Sequence, residues 1–247
     1  MKKIFLLMMF LLPGVCTFAQ DSTDQKKSPF DPGVGLVSRF VWRGACLSKS
    51  PNIQPYFEYA PKFGLKAGAW GSYDFAGDYA EVDLYVGYGI SGFTLTATDY
   101  FIMNESVNNN HFFDYKNETT GHTLEASLGY EGPEKFPIKV LAATMLYGCD
   151  KLVDVMTVDT VLNDTTCTYK SAYSTYFEVG YSIKNISLFI GITPAQGLYG
   201  NKAGLVNAGI SVEKEIKITE HFSLPVQAAL ITNPQKQNIF LVVGMSF

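Results

Sequence analysis

The chain has 247 residues and a formal charge of −4, with 19 Lys and Arg against 23 Asp and Glu. That acidic balance excludes the basic face a nucleic-acid partner requires. Only 17% of residues are charged while 14% are aromatic, with 18 Phe and 15 Tyr, a load that needs either a β-rich core or a lipid surround.

Residues 1–19 read as a secretory signal peptide. Lys2 and Lys3 form the positive n-region, Ile4 to Leu12 the apolar stretch, and Pro13-Gly14 its break. Thr17-Phe18-Ala19 is a small-x-small cleavage site before Gln20. The apolar stretch is too short to cross a bilayer as a helix. Cys16 follows Val15, where a lipid-modified exported protein carries Gly, Ala or Ser. No later segment is apolar for long enough to form a transmembrane helix, so a membrane location requires a barrel.

The rest of the chain alternates with period two. In Ala80 to Tyr88, Ala80, Val82, Leu84, Val86 and Tyr88 share one face, while Glu81, Asp83, Tyr85 and Gly87 share the other. A strand separates these sets, and a helix would scatter them. Leu124 to Tyr130, Ile186 to Ile192 and Ile239 to Phe247 repeat the pattern. Taken in chain order, strands are predicted at 33–43, 52–60, 64–74, 79–89, 92–102, 120–131, 137–148, 168–182, 185–193, 202–215, 222–231 and 237–247. That is an all-β antiparallel barrel of about twelve strands, an even count as in bacterial barrels.

The connections support the same reading. After odd-numbered strands they run 44–51, 75–78, 103–119, 149–167, 194–201 and 232–236. After even-numbered strands they shrink to 61–63, 90–91, 132–136, 183–184 and 216–221. Long loops outside and short turns on the periplasmic side characterise transmembrane barrels. A soluble lipocalin-like barrel would need a polar outer face, whereas here one face of each strand is apolar. The domains are then a signal peptide over 1–19, a short periplasmic segment over 20–32 and the barrel over 33–247. Cys149 and Cys167 bracket one long loop and are candidates for a disulfide at its base, leaving Cys46 unpaired. Asp99 falls in phase with Phe93, Leu95 and Ala97, which requires either a bulge or a place at the outer rim.

The lumen-facing charges predicted from the alternation are Arg39, Arg43, Lys66 and Lys139 against Glu58, Glu81, Asp83, Glu125, Glu178 and Glu213. They fit either a polar pore with a mild cation preference or an interior network that braces a narrow barrel. Arg39 is expected opposite Glu58, given a first hairpin turning near Ser48. Trp42, Tyr59, Phe63, Trp70 and Tyr73 belong to interfacial girdles or interior packing. His221-Phe222-Ser223 resembles the arrangement in outer-membrane phospholipases, but it falls at a short turn without an orienting partner. His111 lies in a loop rich in Asn and Phe, where a lone histidine reads as solvated, and His122 follows just beyond that loop. No CxxC pair, Cys/His cluster or phosphate-binding Gly motif is present, so neither a metal site nor a cofactor is expected.

Ser38 to Gly44, Asn52-Ile53-Gln54-Pro55, Gly68 to Ser72, Glu81 to Tyr85 and Asp99-Tyr100 together resemble the opening of the TorF-like porin family. Ala45-Cys46-Leu47 departs from that family's pattern. The resemblance implies an outer-membrane barrel and no catalytic residue. Phe247 resembles the terminal aromatic that the barrel-assembly machinery reads. The expected protein is therefore a non-enzymatic barrel in the outer membrane of a Gram-negative-type bacterium, set in lipid and passing small polar solutes. The alternatives are a structural or adhesive barrel acting through its long loops, and a lipid-active hydrolase using His221 and Ser223.

Overall fold

The computed structural model describes residues 28–103, 110–159, 164–220 and 222–247. The signal peptide expected over 1–19 lies outside the described residues, as does the start of the 20–32 segment. In chain order the strands are β1 (Phe30–Val37), β2 (Phe40–Trp42), β3 (Ala45–Ser48), β4 (Asn52–Tyr59), β5 (Leu65–Asp74), β6 (Ala80–Ile90), β7 (Phe93–Met103) and β8 (His122–Glu131). They continue with β9 (Ile138–Gly148), β10 (Lys151–Asp159), β11 (Asp164–Ser171), β12 (Thr175–Ile183), β13 (Ile186–Thr193), β14 (Gly204–Lys217), β15 (Ser223–Asn233) and β16 (Asn238–Ser246).

Twelve of these close into one antiparallel barrel in the order β1-β16-β15-β14-β13-β12-β9-β8-β7-β6-β5-β4, as the alternation predicts. β2 with β3, and β10 with β11, form two separate hairpins. The closing seam is the lightest pairing, with three partners between β1 and β16: Gly35 with Ser246, Leu36 with Met245 and Val37 with Gly244. Phe247 extends it through two backbone bonds with Val34, at 2.9 and 3.1 Å.

Alternation sets the two faces. In β4, Asn52, Gln54, Tyr56 and Glu58 are buried in the interior, while Ile53, Pro55 and Phe57 face out. Leu84, Val86 and Tyr88 of β6, Leu188 and Ile190 of β13, and Leu241 and Val243 of β16 are likewise exposed, so an apolar belt wraps the barrel. At the end carrying the short turns, aromatic rings pair along the rim. Phe30 lies 4.9 Å from Tyr59, and Phe93 lies 4.7 Å from Tyr130, between ring centroids.

Four expectations are corrected. The strand predicted at 33–43 begins at Phe30 and leaves the wall after Val37, because Val37 pairs directly with Asn52 of β4 and residues 38–51 are looped out. Arg39 therefore lies beyond the end of β1. The residue opposite Glu58 is Asp31. The strand predicted at 168–182 is two elements: β11 completes a hairpin with β10, and β12 returns to the wall.

That hairpin also overturns the disulfide between Cys149 and Cys167. Its base pair is Lys151 with Ser171, and Cys167 lies up the hairpin opposite Met156. The thiol of Cys149 instead donates to the Thr120 carbonyl at 2.9 Å, and both cysteines are free.

Asp99 does face outward, and a loop covers it. His122 pairs with Phe101 across β7 and β8 and is fully buried. Its Nδ1 lies 2.8 Å from an Asp99 oxygen and its Nε2 lies 2.6 Å from the Phe112 carbonyl. Tyr115 stacks on the imidazole at 4.1 Å and donates its hydroxyl to the other Asp99 oxygen at 2.8 Å. Far from being solvated, His122 clamps the 110–121 loop onto the outer wall. Within that loop, hydrogen bonds from the Thr119 hydroxyl and the Lys116 amide hold the Asp114 carboxyl below its ordinary pKa. Replacing His122 with Ala is expected to remove about 1.5–3 kcal/mol of local stability, roughly a ten- to hundredfold rise in loop opening. Limited proteolysis within residues 110–121 checks this, and an unchanged cleavage rate would count against the clamp.

Candidate functional site

The hairpin of β2 and β3 folds into the barrel instead of projecting from it. Arg43 and Gly44 form its two-residue turn, both with positive φ, at 47° and 79°. This twist matches a tight hairpin turn, and it is one that Gly or Asn adopts more easily than Arg. Beyond the turn there is no free space. A Cβ on Gly44 would stand 2.0 Å from the Val206 carbonyl of β14. The Gly44 carbonyl accepts a hydrogen bond from the Asn233 amide of β15 at 3.2 Å. On the opposite side, Phe40 packs on Trp70 of β5 at 5.5 Å and on Tyr79 at 5.8 Å. The hairpin therefore crosses the lumen from one wall to the other. Its base is tied by Ser48, whose hydroxyl donates to Asp74 at 2.9 Å.

Arg43 is the centre of the crossing. Its Nη2 donates to Glu125 Oε1 at 2.9 Å, and Nη1 donates both to Glu125 Oε2 and to the Tyr199 hydroxyl. Its guanidinium carbon lies 4.5 Å from the centre of the Trp42 ring, 5.0 Å from Tyr176 and 5.6 Å from Tyr199. Such an aromatic box suits a delocalised cation. Removed from water, the pair is held by geometry rather than by screening-prone surface attraction.

On the side of the short turns the lumen opens instead. A cavity of about 270 Å³ runs from Pro61, Gly64 and Glu131 at its mouth to Arg43, Glu125 and Tyr100 at its floor. Thr94, Thr96 and Thr98 of β7 line it as a ladder, facing Lys66 and Glu58. Gly89 on β6, Gly92 in the turn before β7 and Gly129 on β8 leave the room.

The predicted lumen residues fall into distinct places. Arg43 and Glu125 meet, and Glu58 and Lys66 share their cavity. Glu58 accepts the Tyr85 hydroxyl at 2.9 Å. Glu81 and Asp83 are neighbours on one buried face, and Glu81 accepts the Tyr79 hydroxyl at 2.6 Å. Glu178 takes hydrogen bonds from Tyr176 and, at 3.0 Å, from Asn207. Lys139 pairs with Glu131 at 3.1 Å, while Glu213 is exposed opposite Gln227. Arg39 is half-buried at the entry to the hairpin. Trp42 and Trp70 pack inside, whereas Phe63 and Tyr73 are exposed. Ser223 lies opposite Lys217 at the turn-side rim, and His221 lies outside the described residues.

Sequence reasoning missed Tyr199, Tyr176, Asn207 and the threonine ladder. Thr94, Thr96 and Thr98 stand at period two and were open to the same argument that found the carboxylates. Nothing local marks Tyr199, which arrives from the 194–203 loop. Among the described residues no group of His, Cys, Asp and Glu is placed to hold a metal ion.

The chain matches the model of a family described as "Bacterial protein of unknown function (Gcw_chp)" over residues 23–136, less than half its length. No curated protein matches it. Among solved structures, the barrel is similar to the NanC porin, with a TM-score of 0.44, 9% identity and coverage of 87% of this chain and 98% of that one. The KdgM porin gives a TM-score of 0.44 at 7% identity, covering 87% and 97%. BamA from Haemophilus ducreyi lacking POTRA domains 1-3 gives 0.41 at 13% identity, covering 84% of this chain and 41% of that one. These matches do not name the TorF-like family whose opening the sequence resembles.

Proposed function

We propose that this protein is an outer-membrane barrel of a Gram-negative-type bacterium that passes small polar solutes passively, with the hairpin over 38–51 as its constriction. The observation that carries the reading is the pairing of an apolar outer belt with a polar cavity that ends on the Arg43 crossing. In this reading the short turns are periplasmic, the terminal Phe247 engages the assembly machinery, and lipid surrounds the belt. No catalytic step is invoked, since the lumen acts by shape and charge.

Single-channel recording on the refolded mature barrel in a planar bilayer, under a salt gradient, tests it. Small, flickering steps are expected, because the hairpin narrows the lumen. A correctly folded barrel that stays silent even after the hairpin is deleted would end the channel reading. Lipid contact has its own check. Leu241→Arg in the middle of β16 is expected to destabilise the barrel in vesicles by about 2–4 kcal/mol. An unchanged urea midpoint would mean that this face does not meet hydrocarbon.

A second reading, adhesion, has one observation in its favour. The hairpin of β10 and β11 stands apart from the wall and exposes Val153, Val155, Met156 and Tyr169. Loss of surface binding on removing 151–171, with conductance unchanged, would support it.

A further inference from the structure

We propose that the cradle around Arg43 is a binding site for a solute's guanidinium group, which the hairpin fills with its own arginine as a tethered occupant. The inference rests on the channel reading for transport and names its solute class; binding itself is measured separately.

The cradle has the chemistry of guanidinium recognition. Glu125 takes both terminal nitrogens side by side, Tyr199 adds a hydroxyl acceptor, and the rings of Tyr176 and Tyr199 face the cation. These groups come from β8, β12 and the 194–203 loop, so they remain when Arg43 leaves. Only the Trp42 ring travels with the hairpin.

Three features separate this from an ordinary buried ion pair. Arg43 occupies a left-handed turn position that disfavours its backbone, so its head group accounts for the residue there. The occupant also fits incompletely, because its buried Nε–H has no partner among the described residues. Finally, the cradle is the floor of an open cavity, since Arg43, Glu125 and Tyr100 all line it; toward the mouth Glu58 stands with Lys66, and Glu131 is paired with Lys139, so the acceptor that draws a cation to the floor is Glu125. A cationic solute reaches Glu125 without the wall opening. A tethered group competes at an effective concentration of about millimolar, so a free solute exchanges with it in that range.

The test uses the full refolded barrel with Arg43→Ala, titrated with methylguanidinium. Both tryptophans of the chain, Trp42 and Trp70, pack in the hairpin's own cluster, so intrinsic fluorescence reports occupancy. A saturable change in the millimolar range is expected, at least tenfold weaker for methylammonium, which lacks the planar fork, and absent when Glu125→Gln is added. Single-channel current should rise in Arg43→Ala and fall again with methylguanidinium. Should Arg43→Ala fail to fold, Arg43→Lys keeps the charge and the hairpin and should bind methylguanidinium in competition with its own lysine. No saturable change, equal responses to both cations, or binding that survives Glu125→Gln would overturn the proposal. Selective binding with no current in any variant would support the site and sink the channel reading.

Discussion

Replacing Glu125 with alanine is expected to produce the largest single effect on both conductance and stability. The change leaves the Arg43 guanidinium buried with only the Tyr199 hydroxyl and three rings for company. Removing one partner of a buried pair typically costs about 3–5 kcal/mol, most of it the uncompensated charge. This chain has a way to limit that loss, because Arg43 is carried on a short hairpin outside the wall. The hairpin can withdraw and return the cation to water. The expected result is therefore a denaturation midpoint lowered by no more than the full pair value, with larger and steadier current steps. Glu125→Gln, which keeps one acceptor oxygen, should fall between. A Glu125→Ala barrel with parental conductance and parental stability would show that the pair holds nothing in place.

Gly44→Val should open the same crossing by a different route. The added carbon atoms meet the Val206 carbonyl, with the first only 2.0 Å away, and the backbone at φ 79° resists a β-branched residue. Forcing such an overlap costs about 1–3 kcal/mol where the structure can yield. Here the hairpin yields more readily than the hydrogen-bonded wall. Current should rise as it does in Glu125→Ala. The Gly44→Val, Glu125→Ala double variant should add little, since both changes act through one withdrawn segment. Fully additive stability losses would mean that the two residues act on separate elements.

How much of this was legible depends on which physical signal a residue carries. The wall strands were readable because outward-facing apolar and inward-facing sets separate cleanly, as in Leu84, Val86 and Tyr88 against Asp83, Tyr85 and Gly87. The inserted hairpin hid behind the same signal. Phe40-Val41-Trp42-Arg43 alternates like any wall strand, and period two cannot tell a strand in the wall from one folded inside it. The available clue was turn chemistry, an Arg-Gly pair between two short alternating runs. The loop over 149–167 was misread because its polar ends outweighed Leu152-Val153-Asp154-Val155, a strand-like run in its own right. The clamp made by His122 went unread because its neighbours in space, Asp99 and Tyr115, come from another strand and from the loop it holds. Contacts of that kind have no local signature.

The light seam between β1 and β16 bears on how the barrel is made and how it comes apart. Three paired positions, the Phe247 extension at one end and two hydrogen bonds between Ser38 and Val243 at the other hold a joint that elsewhere spans most of a strand's length. The first and last strands are also the farthest apart along the chain, so joining them closes the longest loop of backbone. The wall therefore closes like a zipper whose final teeth are its fewest. Sideways tension on the wall would find its tear line there, between the first and last strands.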